Sequence, residues 1–105
     1  QVREPLTMTS ILPPVHPGEI LRGEYLVPLG MSAGVLARKL GVPRTRIERV
    51  AAEQAPVTPD TALRLARFFR TTPEFWANMQ VGYDLKRMAA AKADELAAIP
   101  EIEAA

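Results

Sequence analysis

The sequence contains no cysteine, a single histidine, few aromatic residues and no long apolar run. Without cysteine the chain can form neither a disulfide nor a cysteine-ligated zinc site, and one histidine is too few for an imidazole metal cluster. We therefore expect no metal and no other cofactor. No apolar run approaches the roughly 20 residues that cross a membrane, and prolines interrupt the N-terminal region where a secretory signal would lie, so we expect a cytoplasmic protein.

The charge of the chain is unevenly distributed along its 105 residues, a length that suits one domain with a single core. From Arg38 to Arg49 there are five basic residues and one acidic residue, a local net charge of +4. The remainder carries eight basic and eleven acidic residues, a net charge of −3. A compact basic patch on a mildly acidic molecule is typical of a protein that docks on a polyanion, although charged runs are also common on solvated helix surfaces.

Prolines and capping residues divide the chain into short segments whose apolar positions recur at helical rather than strand spacing, so we predict an all-α fold. Gly30 and Gly41 are the predicted ends of the first and second helices. In the fifth helix Gly82 predicts a bend or break, and Pro100 predicts the end. Five helix starts are predicted from a capping residue or a proline: His16-Pro17, Ser32, Pro43, Thr58-Pro59 and Thr72-Pro73.

The fifth helix carries large apolar side chains at helical spacing. Phe75 and Trp76 are assigned to the core, because such a stripe is usually buried. Met79, Tyr83 and Leu85 follow and are assigned to a dimer interface. A ligand pocket is the alternative interpretation of this stripe.

The second and third helices are separated only by Gly41-Val42-Pro43, which leaves little room for antiparallel packing. We therefore expect them to cross steeply, as in a helix-turn-helix unit spanning residues 32–51. On a helical wheel of the third helix, Val50 and Ala51 lie within about 60° of Ile47, so these three side chains define the buried face.

The opposite face of the third helix carries Thr45 and Arg49, each about 160° from Ile47, flanked by Arg46 at about 100°. Arginine can bind guanine O6 and N7 in bidentate fashion, and a threonine methyl can contact a thymine methyl, so this face suits the major groove. We expect its guanidinium groups to be free of intramolecular ion pairs. Three further basic residues are better placed for phosphate contacts: Arg38, Lys39 and Arg44. The alternative is that these arginines are solubilising charges.

Several separated blocks of the chain, from about Val15 to Leu85, resemble the HigA antitoxin family, a branch of the XRE-type helix-turn-helix proteins. The order of the blocks makes the resemblance more specific than a lone helix-turn-helix pattern. The matching blocks are His16–Leu21, Pro28–Ser32, Leu36–Arg44, Thr58–Ala66, Pro73–Trp76 and Tyr83–Leu85.

The resemblance implies a five-helix, lambda-repressor-like domain with an extended C-terminal helix. It implies a homodimer that binds a palindromic operator at its own promoter and neutralises a HigB-type toxin, a ribosome-dependent mRNA endonuclease. We accordingly divide the chain into a flexible N-terminal segment (1–14), a helix-turn-helix domain (15–88) and a C-terminal helical tail (89–105). By family pattern the recognition residues are Arg44, Thr45, Arg46 and Arg49, in agreement with the wheel.

Two departures from the family pattern bear on DNA affinity. The family often has a basic, glycine-containing turn after the recognition helix, whereas this chain has Ala52-Glu53-Gln54-Ala55, and Ala33 replaces a glutamine that related proteins use against phosphate. Either the affinity for DNA is then reduced, or the contacts with the DNA backbone are redistributed to Arg38 and Lys39. The alternatives to an antitoxin autorepressor are a solitary XRE-type regulator and a toxin-binding module with little DNA affinity.

An enzyme is the third alternative, and it has little support. His16 is assigned to a helix start rather than to catalysis, because no nucleophile or orienting partner accompanies it.

Overall fold

The computed structural model describes residues 13–103, which form six helices and no strand, so the all-α prediction is confirmed. Most of the predicted flexible segment, residues 1–12, lies outside the described residues, as do residues 104–105. The first helix is continuous through three stretches, and in chain order the helices are α1 (Pro17–Ile20, Leu21–Leu26 and Val27–Leu29), α2 (Ala33–Leu40), α3 (Arg44–Ala51), α4 (Pro59–Phe69), α5 (Pro73–Ala91) and α6 (Ala93–Ala97).

Helix α1 widens into a π-helical stretch at Leu21–Leu26, where the amide of Val27 donates to the carbonyl of Arg22. Pro28 lies two residues beyond this stretch and lacks the amide donor of an α-helical turn, while its ring crowds the carbonyl four residues earlier. A widened turn before Pro28 accommodates both effects. The helix ends at Gly30, whose φ of 61° is left-handed, as predicted.

The helix starts predicted from hydroxyl residues are confirmed by their hydrogen bonds. Ser32, Thr58 and Thr72 each accept from the amide three residues later, at 3.1, 3.3 and 3.1 Å. Helix α2 ends at Gly41 in the left-handed conformation, with φ 73°. The turn from Gly41 to Pro43 therefore separates α2 from α3 by only three residues.

The core is built from one face of each of the helices α1 to α5, and Trp76 of α5 is fully buried in it. Its indole Nε1 donates to the Thr71 hydroxyl at 2.9 Å. The assignment of Phe75 to the core is wrong, because this side chain is 39% exposed. It precedes Trp76 by one residue and so points about 100° away around the helix, leaving its ring packed edge-on against Trp76.

Helix α5 continues through Gly82 without the predicted break and ends at Lys92, where φ is −114°. A single helical glycine costs about 1 kcal/mol relative to alanine, and packing on either side of it can offset that cost. Gln80 and Tyr83 flank Gly82 and both contact the rest of the domain. The predicted end of the fifth helix at Pro100 is wrong, because the backbone leaves the helical conformation at Lys92 and the chain continues as the separate short helix α6. No helix within residues 13–103 has the length and hydrophobicity of a membrane span.

Helix α1 packs directly on the backbone of α3 because residue 18 is glycine. A Cβ at Gly18 would lie 1.8 Å from the carbonyl oxygen of Val50, which is far inside any real contact. This close approach holds the buried side of α3, so it fixes which face of α3 points outward.

Candidate nucleic-acid interface

Helix α3 presents the face that the helical wheel predicts. Ile47 and Val50 are 0% and 1% exposed, whereas Thr45 and Arg49 are exposed. Arg46 lies between the two faces and is half-buried. The aliphatic side chains of α3 are therefore buried in the core, and the polar face of the helix is exposed on the surface of the protein.

The turn after α3 is held by Arg22 of α1. The Arg22 guanidinium donates to the carbonyl of Ala51 and pairs with the Glu53 carboxylate at 3.0 Å. Glu53 has a φ of 63°, a left-handed conformation that glycine adopts without strain and glutamate does not. The turn that departs from the family pattern thus carries a left-handed residue and an ion pair to α1. No local sequence signal marks Arg22, because its partner lies 31 positions away.

The loop between α3 and α4 is fastened to α5 by a buried glutamine. The Gln80 Oε1 atom accepts from the amide of Val57 at 2.8 Å, and Nε2 donates to the Asp84 carboxylate at 3.0 Å. Gln80 is 7% exposed, so both ends of its amide are satisfied inside the domain. Sequence reasoning missed this residue, which contributes to the position of α3 through the loop that follows it.

His16 is the N-cap of α1, as predicted, and its Nδ1 atom accepts from the amide of Gly18 at 2.9 Å. Its ring packs edge-on against Tyr83, with centroids 4.8 Å apart. Burial lowers the pKa of the imidazole below its usual value of 6.5. The negative charge of the Glu53 carboxylate acts in the opposite direction, but its effect on the pKa is smaller. His16 is therefore a neutral structural residue that joins α1 to α5.

Arg46 is not free, and the expectation that every guanidinium of α3 would be unpaired is wrong at this position. Its Nη1 atom donates to Oδ2 of Asp60 at 2.5 Å, and Arg64 donates to the same oxygen from Nε at 3.0 Å. The hydrogen bond from Arg46, and to a smaller extent the one from Arg64, holds the pKa of the Asp60 carboxyl below its usual value. Asp60 lies 14 positions from Arg46, so only the docking of α4 beside α3 creates the pair.

Arg44 is also paired, with Glu48 one turn later at 3.2 Å, but its side chain is 71% exposed. Such an exposed pair contributes little to stability and exchanges readily for another anion. Arg49 differs from both: across residues 13–103 it forms no ion pair, and it lines a groove with Thr45 and Asp60.

Arg38 and Lys39 are exposed in the last turn of α2. Lys39 lines a second groove with Leu63 and Arg67 of α4, and Asp60 borders this groove as well as the one at α3. Of the predicted phosphate-binding residues, Lys39 therefore lines a groove that shares Asp60 with the groove at α3.

The three residues assigned to a dimer interface differ in their surroundings. Met79 is half-buried against the core, and Tyr83 accepts a hydrogen bond from Arg87 at 3.0 Å besides contacting His16. Leu85 is 65% exposed. Of the three, Leu85 has the most surface to offer a partner.

Comparison with known proteins agrees with this arrangement. A helix-turn-helix family model matches residues 23–76. Virulence-associated protein I from Dichelobacter nodosus is 53% identical over 75 residues, which are 71% of this chain and 69% of that protein. Antitoxin HigA-1 from Vibrio cholerae serotype O1 is 38% identical over 72 residues, which are 69% of this chain and 67% of that protein.

Solved structures extend the comparison to the fold. The Pseudomonas aeruginosa antitoxin HigA, solved with the higBA promoter, has a TM-score of 0.83 and 37% identity, and the match covers 86% of this chain and 99% of that chain. The agreement thus includes α5 as well as the helix-turn-helix unit. This chain belongs to the helix-turn-helix family, in its HigA-type antitoxin branch.

Proposed function

We propose that this protein is a DNA-binding antitoxin that represses its own promoter as a homodimer and binds a HigB-type toxin. The observation that carries the proposal is the outward face of α3, which is anchored in the core by Ile47 and Val50. This face exposes Thr45 and Arg49, and Arg49 forms no ion pair with any residue of the described range 13–103. Membership of the HigA-type branch, one of whose structures was solved with its promoter, supports the same assignment. The activity is binding rather than catalysis, and it is expected in the cytoplasm, where the promoter is.

In this proposal α3 enters the major groove of the operator. Arg49 reads a base pair through the bidentate contact that arginine makes with guanine, and the Thr45 methyl contacts thymine. Arg46 reads a second base pair from the edge of the face. The phosphate contacts come from Arg38, Lys39 and Arg44, which position the protein without reading sequence.

Two copies of the chain are proposed to pair through α5 beyond the core. Leu85 lies four residues after Val81 and three before Met88, and these exposed side chains form a stripe along one side of the helix. Tyr83 and Met79 lie on the opposite side of the helix, each about 160° from Val81, where they contact His16 and the core, so Leu85 alone of the three predicted interface residues belongs to this stripe. Two-fold symmetry then places the two recognition helices about 34 Å apart, one turn of DNA.

A second candidate function is a toxin-binding module with little DNA affinity. It is favoured by the turn at residues 52–55, which carries Glu53 where the family is often basic, and by the ion pairs of Arg44 and Arg46.

Fluorescence anisotropy with a duplex taken from upstream of the protein's own gene separates the two candidates. An autorepressor binds this duplex more tightly than a scrambled one, and the preference persists at physiological salt. Equal affinity for both duplexes, lost steeply as salt rises, would leave toxin binding as the function.

A further inference from the structure

Asp60 is an acidic residue at the edge of a surface proposed to bind a polyanion. Its side chain is 54% exposed and lines the same groove as Thr45 and Arg49. A carboxylate in this position weakens the attraction of the surface to phosphate. We therefore ask what else this side chain contributes to DNA binding. Its contacts indicate what that contribution is.

Asp60 is the centre of a chain of hydrogen bonds that links three helices. Arg64 of α4 donates from Nη1 to the carbonyl of Leu40, the last residue of α2, at 2.7 Å, and from Nε to Asp60 at 3.0 Å. Arg46 of α3 donates to the same carboxylate oxygen at 2.5 Å. Arg46 is therefore braced through Asp60 against the ends of two other helices.

The brace leaves Arg46 able to bind DNA. A guanidinium is a planar group with five N–H donors, and the bond from Nη1 to Asp60 uses one of them. The Arg46 side chain remains 40% exposed beside the outward face of α3. An arginine already held in one orientation loses less side-chain entropy when it binds, and it can address guanine O6 and N7 only from that orientation.

We propose that Asp60 is a specificity-determining positioning residue, which holds Arg46 in the orientation that reads one guanine. Its own negative charge disfavours DNA that lacks this contact. The inference rests on the proposed DNA-binding function and deepens it. With the correct base pair, the oriented Arg46 offsets the repulsion between Asp60 and the backbone. With a wrong base pair the repulsion remains, so Asp60 lowers non-specific binding more than specific binding.

The test uses the variant Asp60→Asn, which keeps the size of the side chain and one oxygen acceptor but removes the charge. Selection from duplexes with a randomised central segment first defines the preferred site of the unaltered protein. Anisotropy titrations then compare that site with each of its single base-pair substitutions. Arg46→Gln identifies the base pair that Arg46 reads, as the position at which discrimination disappears.

We expect Asp60→Asn to reduce discrimination at that same base pair about tenfold and to raise affinity for random duplex about two- to fivefold. Discrimination at the Arg49 position should be unchanged. Adding Asp60→Asn to Arg46→Gln should produce no further loss at the shared position, because the two residues act as one unit. Asp94→Asn removes the same charge from the exposed helix α6 and should change neither quantity.

Asp60 also lies in the first turn of α4, where an acid favours the helix dipole. Partial unfolding would weaken binding to all duplexes alike, which differs from a loss at one base pair. If Asp60→Asn does not fold, Asp60→Glu keeps the charge and moves the carboxylate, and it should lose discrimination at the Arg46 position while random binding stays low.

The role of Asp60 is overturned if Asp60→Asn leaves the profile of base preferences unchanged or shifts every position equally. The proposed function fails in a different way, when the unaltered protein selects no preferred site at all.

Discussion

Arg46 and Arg49 lie three positions apart on one short helix, yet their surroundings differ. Arg46 is bound to Asp60, whereas Arg49 is exposed and forms no ion pair within residues 13–103. A freely placed guanidinium contributes both base contacts and general attraction to DNA. Arg49 is therefore the residue at which a single substitution should most clearly change sequence preference.

Arg49→Ala is expected to cost about 1 to 3 kcal/mol of binding free energy at one base pair and to relax the preference there. Lys39→Ala serves as the comparison, because a phosphate contact should weaken binding to all sequences alike and reduce the dependence of affinity on salt. Anisotropy titrations over a series of salt concentrations measure both effects. Equal losses on operator and random DNA for the two variants would contradict the division of roles.

His16 provides a second prediction at the scale of a residue. Its pKa is lowered in the folded protein, so between the folded and unfolded pKa values the unfolded chain binds more protons. The stability that neutral His16 contributes is therefore complete above its unfolded pKa of about 6.5 and is lost as pH falls through the lower folded value.

The measurement is the free energy of unfolding in urea from pH 7.5 down to pH 5. The control is His16→Asn, because asparagine is a good N-cap residue that does not titrate in this range. The unaltered protein should lose more stability on acidification than the variant. Parallel curves for the two proteins would show that His16 does not carry this dependence.

At the scale of elements, the orientation of α3 depends on its close packing against α1 and on the hydrogen bonds of two polar side chains. Gly18 lets α1 approach the Val50 carbonyl, Arg22 holds the turn after α3, and Gln80 holds the following loop. Each of these residues lies outside the helix-turn-helix unit. Changes there are expected to act on DNA binding only through the stability and position of α3.

Gly18→Ala is expected to destabilise the fold by about 1 to 3 kcal/mol, because the new Cβ would overlap the Val50 carbonyl and force α1 and α3 apart. Gly82→Ala is the matched substitution: a Cβ there meets nothing within 4 Å, and alanine should stabilise α5 by about 0.5 to 1 kcal/mol. Urea unfolding compares the two variants. The packing argument fails if Gly18→Ala is as stable as the unaltered chain.

At the scale of the whole molecule, α5 serves two purposes along its length. Its first turns bury Trp76 and Gln80 in the domain, while the exposed stripe of Val81, Leu85 and Met88 lies further along it. Exposed apolar side chains aligned along one helix are typical of a surface that pairs with another chain. Pairing of this kind would give the dimer two recognition helices, one for each half-site of a palindrome.

Leu85→Glu should shift the protein from dimer to monomer, because it places a charge in the middle of the proposed interface. Sedimentation velocity measures the shift, and affinity for a full palindrome should fall more than affinity for a single half-site. For the oligomeric state alone, Leu63→Glu is the control, since Leu63 is similarly exposed, at 59%, but lies on α4. A Leu85→Glu variant that remains dimeric would place the interface elsewhere.

The sequence by itself determined the helix starts at Ser32, Thr58 and Thr72, the ends at Gly30 and Gly41, and the outward face of α3. These features depend on local chemistry: a capping hydroxyl, a left-handed glycine, or the helical repeat of apolar side chains. Each can be recognised within a few residues of sequence.

Only the tertiary structure decided that Arg46 and Arg22 are paired. The bonds from Arg46 to Asp60 and from Arg22 to Glu53 join positions 14 and 31 residues apart, and the exposure of Phe75 follows from how α5 docks. Side-chain periodicity specifies which face of a helix is buried. It does not specify which charged group a neighbouring helix brings to the rim of that face, because that depends on how the helices pack against one another.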